Sequence, residues 1–152
     1  LQSVWRFGCA DPVLAMDCSV ELYKGGIVPL SEYAQRPYDR DILVRVIVPK
    51  EQAEFCYQSV RNSQTDFPVL TCAAAKTAGG FRVAIGARPG KAVLYTLQPN
   101  AAETPELTAA RFAAEVRAGI RTESNMRGSA EYRNHLAGVL VKRAVLKLEG
   151  NR

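Results

Sequence analysis

The chain has 152 residues, 47% of them hydrophobic, which suits one packed domain or one domain with part of another and excludes a disordered polypeptide. Its net charge of +5 comes from 20 Lys and Arg against 15 Asp and Glu, and no basic block is longer than Lys142-Arg143, so a solvated surface explains it better than a nucleic-acid footprint. No apolar run reaches membrane-spanning length, and the segment LQSVWRFGCADPV has no apolar signal core.

The first segment reads as an irregular stretch followed by a hairpin. Val20 and Leu22 alternate with polar neighbours, Gly25-Gly26 supplies the turn, and Ile27-Val28 begins the return strand. Ser31 is placed to cap a short turn of helix through Tyr33, and Arg36-Pro37-Tyr38-Asp39 reads as loop. Positions 42–48, ILVRVIV, form the strongest strand signal in the chain and stop at Pro49. Ile42, Val44, Val46 and Val48 share one face, and Leu43, Arg45 and Ile47 the other. The polar connection at 50–53 marks a boundary, giving a first domain over 1–50 and a second over 51–152.

The second domain opens with strands at 55–61 and 69–76. The latter is small on both faces through Ala73 to Ala75, so something packs closely on it. Gly79-Gly80 turns into a strand at 81–85, and 93–97 adds another. Thr104-Pro105-Glu106 combines an N-cap, a first-position proline and an acid in the first turn. A stripe of Ala109, Phe112, Ala113, Val116 and Ile120 follows, and Gly119 marks its end. The last helix is capped by Ser129 and closed by Gly150, with a stripe of Tyr132, Leu136, Val139, Leu140, Ala144, Val145 and Leu148. Strands followed by helices predict an α+β fold, an antiparallel sheet of three to four strands packed against about three helices.

No catalytic motif is present: there is no GxSxG, HExxH or P-loop. Glu131 and His135 lie one helical turn apart, which reads as a surface pair. Asp11 and Asp17 stand alone. Cys9, Cys18, Cys56 and Cys72 form no CxxC pair and read as reduced thiols in a cytoplasmic protein, with Cys56 and Cys72 as small core residues.

The run RGSAEYRNHLAGVLVKRA, beginning at Arg127, resembles the C-terminal signature of the FAD-binding subunits of molybdenum hydroxylases, the xanthine dehydrogenase and carbon monoxide dehydrogenase flavoproteins. DILVRVIVP from Asp41 resembles the strand that ends the flavin-binding domain. FCYQSVRNSQTDF from Phe55 resembles the opening of the domain after it, and FRVAIG from Phe81 its next strand. DPVLAMD from Asp11, followed by Val20-Glu21-Leu22, resembles the late part of the flavin-binding domain.

The resemblance implies a fragment of an FAD subunit: the tail of a flavin-binding lobe, then a C-terminal α+β domain. Such subunits pass electrons between iron–sulfur clusters and NAD or another acceptor, with an iron–sulfur subunit and a molybdopterin subunit as partners and a homodimer also open. Ile42 and Leu43 match the pair packed against the isoalloxazine ring, with ordinary strand core as the alternative. Gln58 stands where some members place a basic residue towards the flavin. Asp11 matches an acid near the ribityl-phosphate region. Arg127, Tyr132 and Arg133 read as structural, a helix start locked against the sheet or a subunit contact. Asn125 stands where the family often has an acid. The glycine-rich loops that hold the FAD pyrophosphate have no counterpart here, so this chain alone is expected not to retain FAD. A non-catalytic docking module of the same fold is the alternative function. A third, nucleic-acid binding through the +5 charge, would require a salt-dependent shift on DNA.

Overall fold

The computed structural model describes residues 10–37 and 40–150; Cys9, Tyr38 and Asp39 fall outside them. From Ala10 the described residues begin with a helix, not an irregular stretch: α1, Ala10–Ala15, buries Ala10, Leu14 and Ala15. Tertiary contact decides this, since six residues hold no stable helix alone.

Strands β1 (Ser19–Leu22), β2 (Gly26–Pro29) and β3 (Leu43–Ile47) form an antiparallel sheet of order β2-β1-β3. Gly26 takes φ +66 in the hairpin turn, a conformation open to glycine at little cost. The short helix α2, Leu30–Tyr33, follows β2 directly; its N-cap is Pro29, and Ser31 lies inside the helix without a capping hydrogen bond. Strand β3 departs from simple alternation. Glu21 pairs with Arg45 but Leu22 pairs with Leu43, so the register shifts past Val44. The bulge turns Leu43 towards the apolar residues beneath β1 and leaves Ile42 outside.

The second sheet is a meander of β4 (Glu54–Arg61), β5 (Pro68–Thr77), β6 (Gly80–Gly86) and β7 (Val93–Leu97) in sequential antiparallel order. Helices α3 (Pro105–Gly119) and α4 (Ala130–Leu148) cover one face. Both start as their sequences predict: Thr104 Oγ1 accepts from the Leu107 amide at 3.4 Å, and Ser129 Oγ accepts from the Tyr132 amide at 3.1 Å. Phe81 and Phe112 meet edge to face at 5.5 Å between sheet and helix. The other face carries α1. Ala73, Ala75 and Ala84 line it and join Leu14, Val20, Leu22 and Leu30 in a second core. The small residues of β5 therefore face two layers at once, which explains the alanine run.

The helical stripe of α4 needs one correction. Tyr132 is 46% exposed, whereas Arg133 is 1% exposed and occupies the inward position at the start of the helix. Periodicity assigns the aromatic to the core; the acceptors available there favour the guanidinium.

Candidate functional site

Ile42 precedes β3 and is 64% exposed, and its carbonyl accepts from the Tyr23 amide at 2.9 Å. Leu43 is half-buried against the second core. The two neighbours thus divide their roles: Leu43 anchors the strand, and Ile42 offers an apolar side chain to solvent. The Asp41 carboxylate fixes this corner, accepting from the amides of Lys24, Gly25 and Ile42 at 2.8–3.2 Å. Although burial acts the other way, those amides and Lys24 together hold its pKa below the ordinary value.

Gln58 lies elsewhere. On β4 it alternates with Phe55 and Tyr57, pairs across the ladder with Cys72, and donates from Nε2 to Cys56 Sγ at 3.5 Å. It therefore faces the α3–α4 side, while Phe55 and Tyr57, 45% and 46% exposed, face the opposite side.

Asp11 is 1% exposed, sealed between α1 and the strand ends of β5 and β6. The Thr71 hydroxyl donates to its Oδ2, and Oδ1 has no hydrogen-bond partner. Gly86 makes room for it: a Cβ there would stand 2.0 Å from Oδ1. Burial pushes the Asp11 pKa up to about 6, partly offset by the Thr71 hydroxyl and the Asp11 backbone amide. A carboxylate so enclosed meets no ligand unless α1 moves. The four residues matched to the flavin thus lie on separate surfaces, and only Ile42 and Leu43 adjoin.

Two sets of contacts give the structural reading of Arg127 and Arg133 its detail. Arg133 donates to the carbonyls of Val69, Glu123 and Gly128 and to Asn125 Oδ1, locking the helix start to the sheet. Arg127 donates to Asp66 at 3.2 Å and stacks over Phe67 at 5.2 Å. The RGSAEYR run gave the signal for both, but not which side chain turns inward. Near it an open groove of about 490 Å³ is lined by Arg117, Ser129, Glu131, Tyr132, Asn134 and His135. Ser129 is committed to the cap and Asn134 to Arg117, so the groove holds no nucleophile–base pair. Among the described residues no group of His, Cys, Asp and Glu could hold a metal ion, and no helix is long and apolar enough to cross a membrane.

The geometry defines an α+β domain built on a two-faced meander, carrying no catalytic set among the described residues. The chain belongs to the CO dehydrogenase flavoprotein C-terminal domain family, whose sequence model matches residues 55–148. Among individual proteins it is 27% identical over 130 residues to YgfM of Escherichia coli K12, covering 85% of this chain and 48% of YgfM. The fold is shared with carbon monoxide dehydrogenase from Hydrogenophaga pseudoflava (TM-score 0.79, 20% identity, 93% of this chain and 56% of that one). It is shared too with quinoline 2-oxidoreductase from Pseudomonas putida 86 (TM-score 0.73, 19% identity, 98% and 60%). The chain thus spans about half the length of the curated relatives it matches.

Proposed function

We propose that this chain serves as the C-terminal part of the FAD subunit of a molybdenum hydroxylase, residues 1–50 being the tail of a flavin-binding lobe and 51–152 the C-terminal domain. Family membership over residues 55–148 carries the reading. FAD, when bound, would supply the relay of electrons between iron–sulfur clusters and NAD or another acceptor. The chain's own contribution is apolar: Ile42 covers one side of the ring and excludes water, and Leu43 holds Ile42 in place through the second core. Gln58 and Asp11 fit the cofactor less well, the first turned to the helix side and the second sealed under α1. An iron–sulfur subunit and a molybdopterin subunit are the partners on this reading, in the cytoplasm, where the buried free thiols of Cys18, Cys56 and Cys72 stay reduced.

That sequestration of Gln58 and Asp11 favours the second reading, a docking module that keeps the fold without touching flavin. Burying on the order of 100 Å² of ring against Ile42 and Leu43 contributes roughly 2.5 kcal/mol. Association costs at least about 4 kcal/mol. The isolated chain is therefore expected to purify colourless, and to retain flavin only when joined to a flavin-binding half. Ile42→Asp in the joined protein should lower flavin content at least tenfold; full retention would leave only the docking module.

A further inference from the structure

Strand β4 is an outer strand of the four-stranded sheet, with β5 as its one strand partner among the described residues. It is also the longest sheet edge among them, eight residues against five in β7 and β3 and four in β2. Natural edges of this length are ordinarily blunted by lysine, proline, an inward charge or a bulge in mid-strand. The β4 sequence EFCYQSVR has no lysine or proline, its two charges stand at its ends, and its register shifts only at the last pair, between Val60 and Arg61. Its two faces differ. Cys56 is buried and Val60 half-buried against the helices. On the other face Phe55 and Tyr57 stand opposite Ala75 and Ala73 in the ladder; the alanines belong to the second core, and the two rings lie exposed beside it.

The strand is complementary to itself. Two copies of β4 paired antiparallel about a two-fold axis must set side chains of the same face opposite each other. An axis at Gln58 sets Tyr57 against Ser59, Cys56 against Val60 and Phe55 against Arg61 of the second copy, each pair twice, with Gln58 facing its own counterpart. These pairs are compatible: a guanidinium over a ring, small apolar side chains that extend the helix-side core, and two amides that donate and accept in turn. Arg61 is held at the strand end, where its Nη1 donates to the Asp66 carbonyl at 2.9 Å. An axis one residue earlier, at Tyr57, sets Phe55 against Ser59 and Glu54 against Val60, which buries a carboxylate on an apolar partner. The Gln58 axis instead gives the cation an aromatic face and opposes no like charges. Each chain carries +5, but at about 0.15 M salt the Debye length is about 8 Å, so that repulsion is largely screened while the strand contacts are not.

We propose that β4 is a homodimerisation edge: two copies of the chain join β4 to β4 antiparallel about Gln58, making their two four-stranded sheets one. This goes beyond the flavin reading and needs no cofactor.

The test is sedimentation equilibrium of the 152-residue chain from about 1 to 100 μM in about 0.15 M salt. A monomer–dimer equilibrium is expected. Phe55→Lys and Phe55→Glu lose the same ring, but the lysine meets Arg61 of the second copy as a like charge and the glutamate as an opposite one. The glutamate variant should therefore dimerise at least about tenfold more tightly than the lysine variant, since the two-fold axis doubles each change. Arg61→Glu added to Phe55→Lys should restore dimerisation. Phe55 is exposed, so the Tm of each variant at monomeric concentration should stay near that of the parent. Amide exchange gives a readout that needs no variant: protection along Glu54–Arg61 should rise with protein concentration. A chain monomeric throughout would overturn the inference and leave this edge to a different partner. Lysine and glutamate variants of equal affinity would overturn it too, as would concentration-dependent protection on β3 or β7 in place of β4, or open-ended growth beyond the dimer.

Discussion

Replacing Arg133 by methionine tests the lock between the last helix and the sheet. The guanidinium is 1% exposed, and no carboxylate among the described residues pairs with it. Burial lowers its pKa, and Arg127 adds to this. Its four acceptors are the carbonyls of Val69, Glu123 and Gly128, at 2.9, 2.6 and 2.5 Å, and Asn125 Oδ1 at 2.6 Å. Val69 is the critical one. The β4–β5 register runs from Leu70 to Pro68 and skips it, so its buried carbonyl sits at the irregularity and takes the Arg133 Nε–H. Methionine fills the space but leaves that acceptor unpaired, at about 1–3 kcal/mol for a buried group. Glu123 is exposed and Gly128 half-buried, so their carbonyls regain water at small cost. Relief of the buried charge works in the other direction. Because the acceptors stay while the donor goes, the loss wins, and Arg133→Met should cost about 2–3 kcal/mol in urea unfolding followed by circular dichroism. Asn125→Asp gives the guanidinium a carboxylate and should stabilise by about 0.5–1 kcal/mol at pH 7. Its folded pKa would be depressed, so the gain is present above the unfolded value of about 3.9 and is lost as pH falls through the folded one. A methionine variant within about 0.5 kcal/mol of the parent, or a destabilised aspartate variant, would refute the reasoning.

Ser129→Ala should destabilise the last helix by about 1 kcal/mol, read as a shifted unfolding midpoint, because the Tyr132 amide loses its acceptor. Asp11 has a folded pKa raised from 3.8 to about 6, so its contribution is greatest below the unfolded value and falls as pH rises to about 6. Asp11→Asn should flatten that slope in a pH series of denaturation curves and raise stability at pH 7.5; an unchanged slope would show that another group titrates. Gly80→Ala should cost more than about 2 kcal/mol in thermal unfolding. Its φ is +111, and a Cβ would stand 2.7 Å from the Leu97 carbonyl oxygen. An unchanged Tm would mean that the β6–β7 edge yields.

Local chemistry settled much of this protein before tertiary structure entered. The caps at Thr104 and Ser129, the glycine turns at Gly26 and Gly80, and the meander of β4 to β7 follow from short-range signals that the fold does not override. The alanine run at 73–75 implies that something packs closely on it; that both faces of β5 are covered is visible only in the fold. Tertiary structure decided the rest. Helix α1 forms because a sheet receives it. The bulge at Val44 turns Leu43 rather than Ile42 towards the core, and a period of two has no way to encode an inserted residue. Arg133 displaces Tyr132 from the interior because carbonyls 64, 10 and 5 residues away in sequence converge on it. Asp11 is buried because Gly86 and Thr71, distant along the chain, together leave a space of its shape. Hydrophobic periodicity reports what a side chain prefers; it is silent on acceptors and spaces that only the folded chain assembles.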